Sequence, residues 1–153
     1  MLRPLTPADL DALMALAAEL HAAGVYADFP LYTEQARYIL SELIADPDTF
    51  TMCAVKGDEL IGAYIGEIVP DLWVKVRVAV DHAFYVAEAH RGGTAGIRLL
   101  QAFEQWAAQQ GADVIRPVVY AGVDNENVSN MMTRLGYANA GTVFKRSAGQ
   151  CAY

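Results

Sequence analysis

The sequence predicts an α/β (α+β) fold with a single mixed, mostly antiparallel sheet flanked by helices, in the order β-α-α-β-β-β-α-β-α-β. Apolar residues recur at helical spacing in the first part of the chain, and near residue 50 the pattern changes to strands joined by a hairpin turn. A strand, a loop, a helix and another strand follow, which is the pattern of a β-α-β unit. The 153 residues suit one domain, residues 1–153.

Two helices are predicted in the first third of the chain. Residues 2–5 are extended, and Thr6 then provides an N-cap that a proline follows. Apolar side chains recur at helical spacing until Gly24 ends this first helix. Thr33 caps the second helix, and the aromatic-rich residues 25–32 form the loop between the two.

The remaining two thirds contain mostly strands. A turn at residues 56–59 joins the first two strands of this part into a hairpin. Gly111 ends the long helix that follows the third strand, because glycine is the usual residue just past a helix C-terminus. The predicted strands cover residues 50–55, 60–69, 75–86, 114–120 and 142–146, and the predicted helices cover residues 94–110 and 126–135.

Composition excludes several classes of protein. Hydrophobic residues make up 54% of the chain and charged residues 19%, which is enough apolar material for a folded core. The net charge of −7 and the lack of a basic stripe argue against nucleic acid as a partner and mildly favour cationic substrates such as amines. Neither a signal-like N-terminus nor a membrane-spanning apolar run is present, so we expect a soluble, cytoplasmic protein that does not bind membranes. Cys53 and Cys151 have no metal-ligand spacing, and we expect no metal.

The most informative segment is residues 83–100. An apolar run ends at Val86, a loop of small residues follows, and a helical pattern begins near Thr94. The first backbone N–H groups of a helix have no intrahelical partner, and the helix dipole adds partial positive charge there. Such a strand-loop-helix junction binds phosphate groups, although an ordinary tight turn has the same local pattern.

This loop resembles the pyrophosphate loop of the GNAT N-acetyltransferase superfamily, whose usual pattern is [RQ]-x-x-G-x-[GA]. Arg91 matches the first position and Gly96 the last. Thr94 occupies the position of the middle glycine, and Gly93 precedes it by one residue.

A second block, residues 125–137, resembles the family's N-x-x-A-x-x-x-[Y]-x-x-x-G-[FY] helix and turn. Asn125, Gly136 and Tyr137 match this pattern. Met132 stands where many members have the tyrosine that protonates the departing thiolate. The two blocks follow each other in the order and at about the separation of the family, so the resemblance covers most of the chain.

The resemblance implies transfer of an acetyl group from acetyl-CoA to a primary amine of a small molecule or peptide, by direct attack in a ternary complex. It also implies that the backbone at Tyr85 and Val86 bonds the cofactor near its thioester. Strand alternation alone would only place Tyr85 on the opposite face from its neighbours. The alternative for Asn125 is a helix cap, and the alternative for Asn130 is plain solvent exposure. Arg98 flanks the phosphate loop together with Arg91, and its alternative is an ion pair with Glu88. The implied cofactor-binding residues are Tyr85, Val86, Arg91, Gly92, Gly93, Thr94, Ala95, Gly96, Asn125 and Asn130.

Amine attack on a thioester needs a base that accepts the amine proton. We name Glu67 as the first candidate because a carboxylate is unusual in its apolar strand, although an alternating strand also explains a solvent-facing Glu67. His82 is a second candidate, with a structural histidine as its alternative. Tyr120 is a candidate acid for the thiolate, as are water and Tyr137, which is alternatively the aromatic residue that packs after the Gly136 turn. The other alternative is that no acid is needed, because a thiolate is a reasonable leaving group.

The loop before the second helix lies where the family binds its acceptor. Tyr26, Phe29 and Tyr32 are candidates for an acceptor pocket and Asp28 for an ammonium ligand, or these residues simply cover the sheet. The alternatives to an enzyme are an acyl-CoA-binding or regulatory interaction module without catalysis and a GNAT fold that has lost CoA binding. An exposed sheet edge near the C-terminus would allow a homodimer.

Overall fold

Five strands form one sheet in the part of the chain that the computed structural model describes, residues 1–119 and 122–148. The sheet order is the chain order, and the first four strands are antiparallel to their neighbours. The last strand is parallel to the fourth, so the sheet is mixed as predicted. The strands are β1 Leu2–Pro4, β2 Phe50–Lys56, β3 Glu59–Pro70, β4 Arg77–Val86 and β5 Val114–Arg116.

Four α-helices cover the two faces of this sheet within the same residues. One cluster of buried side chains joins α3 to the sheet through Leu100 and Phe103, and a second cluster joins α1 to the other face through Leu13 and Leu16. Short 3-10 helices at Pro7–Asp9 and Glu88–His90 precede α1 and the loop before α3. The helices are α1 Leu10–Ala23, α2 Thr33–Ala45, α3 Ala95–Gln109 and α4 Asn125–Arg134. None of the helices described here is long and apolar enough to cross a membrane.

Aromatic rings fill the space between α3 and the sheet. The rings of Tyr64 and Phe103 stack with their centroids 4.5 Å apart, and Phe50 contacts both edge-on. Tyr64 is completely buried, and its hydroxyl has no hydrogen-bond partner among the described residues. Gly66 lies directly under Phe103, where the Cβ of any other residue would come within 2.6 Å of the ring. The core between α3 and the sheet therefore has no room for a side chain at position 66.

Two irregularities of β4 shape the site. Ile65 of β3 pairs with Ala83 while Gly66 pairs with Asp81, so His82 is an extra, bulged residue in β4. On its other side, β4 pairs with β5 only as far as Val80. Because β4 continues to Val86, its part beyond Val80 has no neighbouring strand on this side among the described residues and faces an open slot.

The sequence predictions of the elements are confirmed to within two residues, except near the C-terminus. The strand predicted over 114–120 ends at Arg116, and the N–H of Val118 beyond it bonds the Asp81 side chain rather than the backbone of β4. The strand predicted over 142–146 is wrong. Its side chains project into solvent, with Phe144 90% exposed, and no neighbouring strand pairs with it among the described residues. Apolar alternation alone does not form a strand without a partner.

Candidate active site

A cleft of about 420 Å³ opens between the end of β4, the loop before α3 and one side of α4. Most of the residues predicted to bind a cofactor line this cleft, and they come from three separate parts of the chain. They are Tyr85, Val86, Arg91, Gly92, Gly93, Gly96, Asn125 and Asn130. The structure therefore brings together eight of the ten predicted residues.

The other two predicted residues, Thr94 and Ala95, face a smaller depression of about 220 Å³ on the opposite side of the loop. Arg98 and Lys56 line that depression too. Arg98 has no ion pair with Glu88 or with any other acid in residues 1–119 and 122–148. The helix start thus has a cleft on one side and a basic depression on the other.

The loop before α3 presents a row of free backbone donors. Gly92 has φ of 81°, which glycine adopts without strain, and Thr94 is the N-cap of α3. The backbone N–H groups of residues 92–97 have no acceptor within the described chain. Together with the positive end of the helix dipole, these donors favour a bound anion.

Gly96 forms part of the floor of the cleft. A Cβ at this position would lie 3.6 Å from Phe84 Cζ and 3.7 Å from Val86 Cγ2, at ordinary contact distance. A branched side chain would therefore extend into the cleft itself. Gly93 has open space, since its nearest neighbour would be the carbonyl of His90 at 3.7 Å.

The slot beside β4 offers backbone donors of its own. The N–H of Ala87 donates to the carbonyl of Ile61 on β3. Because alternate residues of a strand bond to opposite neighbours, the N–H groups of Phe84 and Val86 point away from β3, toward the slot. A ligand that lies in the slot can accept these hydrogen bonds as an added strand would.

Arg91 anchors the loop to β4 and to α1. Its Nε donates to the carbonyl of Val86 at 3.1 Å, and its terminal nitrogen donates to the hydroxyl of Tyr85 at 2.6 Å. That hydroxyl donates in turn to the carboxylate of Glu19 at 2.8 Å, which also accepts the N–H of Glu88 at 2.8 Å. One side of the Arg91 guanidinium is therefore committed to holding the loop.

The same network shifts the titration of its members. The N–H of Glu88, and then the Tyr85 hydroxyl, hold the pKa of Glu19 below its usual range. Burial, and then the bond to Glu19, raise the pKa of Tyr85 to about 12. The Tyr85 side chain lies in the cluster on the α1 face, whereas Phe84 and Val86 pack toward α3, as strand alternation requires. No local sequence signal pointed to Glu19, which is exposed and distant in the chain from Tyr85.

Two of the three predicted catalytic residues meet at the bulge of β4. His82 Nε2 lies 2.9 Å from Glu67 Oε1, and the two side chains are 38% and 39% exposed. An imidazole beside a carboxylate can accept a proton, because the negative carboxylate stabilises the imidazolium that forms. Neither residue lines the cleft, and His82 precedes the cleft residue Phe84 by two positions on the same strand. The third, Tyr120, lies outside the described residues.

The predicted acceptor residues do not meet at the cleft. Tyr26, Phe29 and Tyr32 are 51–66% exposed, and Asp28 is exposed as well. None of the four lines the cleft, and all four side chains are mainly exposed rather than packed on the sheet. The side chain of Lys145 instead lies over the Tyr26 ring and donates to the carbonyl of Val25.

The second sequence block contributes to the cleft through α4. Asn125 is the first residue of α4 and Asp124 is its N-cap, so the capping alternative for Asn125 is wrong. Asn130 is exposed on the cleft wall. Met132 is 7% exposed and packs into the aromatic cluster.

Tyr137 does not offer its proton to the cleft. Its hydroxyl donates to Glu104 Oε1 at 2.6 Å, and burial raises the pKa of Tyr137. It packs against the cluster under α3, as the aromatic residue that follows the Gly136 turn.

A family model for "Acetyltransferase (GNAT) family" matches residues 12–137, most of the chain. The chain belongs to the GNAT acetyltransferase family. This confirms the resemblance of the two sequence blocks. A comparison with curated protein sequences finds no relative.

Solved structures share the fold of this GNAT protein over nearly its whole length. A variant of the BH1408 protein from Bacillus halodurans superposes with a TM-score of 0.81 at 16% identity, covering 96% of this chain and 98% of that one. Aminoglycoside antibiotic 6'-N-acetyltransferase AAC(6')-IG from Acinetobacter haemolyticus gives 0.75 at 19% identity, with 96% and 97% covered. AAC(6')-Iy, solved with the bisubstrate analogue CoA-S-monomethyl-acetylneamine, gives 0.75 at 16% identity, again with 96% and 97% covered. At these identities the likeness shows the fold.

Proposed function

We propose that this GNAT protein transfers an acetyl group from acetyl-CoA to a primary amine by direct attack in a ternary complex. The observation that carries the proposal is the cleft, where the free N–H groups before α3 and those of β4 converge on one groove. The groove combines an anion-binding end with a strand-like slot, which suits a ligand with a pyrophosphate and an amide-containing arm. The bisubstrate analogue that AAC(6')-Iy binds contains CoA and an amine acceptor, and so supports the same pairing here.

The loop would bind the pyrophosphate of acetyl-CoA through the N–H groups of residues 92–97. The N–H groups of Phe84 and Val86 would bond the arm in the slot and bring the thioester toward the bulge at His82. Donors that point at the thioester oxygen stabilise the negative charge that develops there. Asn125 and Asn130 offer amide groups along the opposite wall.

We further propose that the Glu67–His82 pair accepts the proton of the attacking amine. The amine nitrogen forms a bond to the thioester carbon, the carbon–sulfur bond breaks, and CoA leaves as a thiolate. The proton released by nitrogen passes to the imidazole, directly or through water, and Glu67 stabilises the imidazolium. Met132 is buried and has no proton to give, so the thiolate takes its proton from water or from a group other than Met132.

The test of this proposal is release of free thiol from acetyl-CoA in the presence of a panel of primary amines, from aminoglycosides to peptide N-termini. Glu67→Gln keeps the size of the side chain and removes its charge. We expect its turnover to fall by about a hundredfold, most strongly at low pH, while CoA affinity stays unchanged. Equal turnover by Glu67→Gln and the unmodified protein from pH 6 to 9 would remove Glu67 from the mechanism.

A second candidate function is an acyl-CoA-binding module without catalysis. The buried Met132 in place of a tyrosine favours it. This candidate predicts saturable CoA binding without thiol release for any amine, whereas the enzyme predicts both.

A further inference from the structure

The chain that leads into the loop before α3 is attached to the sheet and to α1 by two successive N–H groups. The N–H of Ala87 donates to the carbonyl of Ile61, which fixes the end of β4 to β3. The next N–H, that of Glu88, donates to Glu19 Oε1 of α1 at 2.8 Å. Ala87 is the N-cap of the 3-10 helix Glu88–His90 and makes no side-chain cap bond of its own. Glu19 therefore supplies the missing acceptor from 69 positions away in the chain.

The same oxygen atom of Glu19 also holds the Tyr85 side chain. The Tyr85 hydroxyl donates to Glu19 Oε1 at 2.8 Å and accepts from Arg91 at 2.6 Å. The positions of Glu88 and Arg91 in the loop thus depend on one carboxylate of α1. Leu20, the next residue of α1, lines the cleft. The last turns of α1 therefore contribute both a wall of the cleft and an anchor for the loop.

Neither fold stability nor charge explains a carboxylate at this position. Glu19 is exposed, and interactions of an exposed charged side chain contribute little to stability in water. Its negative charge lies beside a loop whose free N–H groups favour an anion, and it repels that anion. Arg91 and His90 are the cations that interact with it. What Glu19 provides for the loop is the geometry of its two hydrogen bonds.

We propose that Glu19 is a positioning residue that couples α1 to the loop before α3, so that the backbone donors of the loop are arranged before acyl-CoA binds. A loop that is already ordered loses less conformational entropy on binding. Because such a coupling is reciprocal, bound CoA also holds the last turn of α1. The consequence for acyl-CoA rests on the proposed function, whereas the link between α1 and the loop does not.

Two substitutions of Glu19 separate its hydrogen bonds from its charge. Glu19→Ala removes both, and alanine at an exposed helix position keeps α1 intact. We expect the Glu88 amide to exchange its hydrogen faster in this variant and CoA affinity in calorimetry to fall by about fivefold, the net effect of roughly one hydrogen bond. Glu19→Gln keeps an acceptor oxygen and loses the charge. In this variant the Glu88 amide stays protected, and CoA binds at least as tightly as to the unmodified protein.

Asp11→Ala is the matched control. Asp11 is also an exposed carboxylate of α1, but it accepts from Arg37 of α2 at 2.5 Å. We expect unchanged Glu88 exchange and unchanged CoA affinity for this variant. Bound CoA should slow amide exchange in residues 20–23 of the unmodified protein and of Asp11→Ala, and clearly less in Glu19→Ala. In a turnover assay, Glu19→Ala raises KM for acetyl-CoA more than it lowers kcat, as a positioning role requires.

Unchanged Glu88 exchange in Glu19→Ala would overturn the proposal. Equal losses of CoA affinity in Glu19→Ala and Glu19→Gln would overturn it too, because the effect would then belong to the charge and not to the hydrogen bonds. An unmodified protein that binds no CoA would refute the proposed function instead, while the Glu88 exchange still decides whether Glu19 holds the loop.

Discussion

Tyr85→Phe and Tyr64→Phe remove the same hydroxyl group from neighbouring strands, and we expect opposite effects on stability. The Tyr85 hydroxyl accepts from Arg91 at 2.6 Å and donates to Glu19 at 2.8 Å. The Tyr64 hydroxyl is completely buried and has no hydrogen-bond partner in the part of the chain that the structure describes. Phenylalanine thus deletes two hydrogen bonds at one position and an unpaired polar group at the other.

The expected magnitudes follow from these partners. A hydrogen bond to a charged group contributes about 1.5–3 kcal/mol when it is buried. Glu19 is exposed and keeps its bond to Glu88, so the loss in Tyr85→Phe is mainly that of the Arg91 bond, about 1.5 kcal/mol. This lowers the melting temperature by roughly 5 °C for a domain of this size. Tyr64→Phe removes a desolvation cost of about 1 kcal/mol and raises the melting temperature by roughly 3 °C.

Urea unfolding, with slope and midpoint fitted separately, and a thermal scan measure both variants. CoA affinity adds a functional readout, because loosening Arg91 should weaken CoA binding in Tyr85→Phe and leave it unchanged in Tyr64→Phe. A Tyr64→Phe variant that is destabilised as much as Tyr85→Phe would refute the reasoning, since it would mean that the Tyr64 hydroxyl is satisfied.

Further predictions concern packing, pH and the buried methionine. Gly66→Ala should lower stability by several kcal/mol in urea unfolding, because its Cβ would lie 2.6 Å from the buried Phe103 ring and 2.7 Å from a backbone oxygen. The Arg3 guanidinium lies 2.7 Å from the Asp9 carboxylate and holds the pKa of Asp9 well below its usual range. The pair therefore stabilises the fold above about pH 4, and this contribution is lost as the pH falls further. Asp9→Asn should abolish that part of the pH dependence of the urea midpoint. Met132→Phe should retain a substantial fraction of thiol release, and a hundredfold loss with intact CoA binding would show an unrecognised role.

The regular elements of the fold were predictable because their signals are local. The apolar spacing that ends at Gly24 and the hairpin turn at residues 56–59 each fall within a few residues, and the structure confirms both. The C-terminal strands were not predictable from alternation. Whether residues 142–146 pair depends on a neighbouring strand, which no local pattern specifies.

The candidate site likewise has one part with a local sequence signal and another part that depends on distant residues. The loop before α3 has a local signature, and the structure gives it free backbone donors as expected of a helix start. The partners that support the site come from distant parts of the chain. Glu19 reaches Tyr85 across 66 positions, and Asp81 reaches Val118 across 37. The register of β3 and β4, which brings Glu67 to His82, is likewise a long-range property.

Calorimetric titration of CoA into the unmodified protein, Gly96→Val and Gly141→Val tests the central claim most directly. Gly96 forms the cleft floor, whereas Gly141 has nothing within 4 Å of the position of a Cβ and serves as the control. We expect saturable binding to the unmodified protein and to Gly141→Val, and at least a tenfold weaker affinity for Gly96→Val at an unchanged melting temperature. The absence of heat at millimolar CoA with the unmodified protein, or equal affinity of all three proteins, would contradict the assignment of this cleft to acyl-CoA.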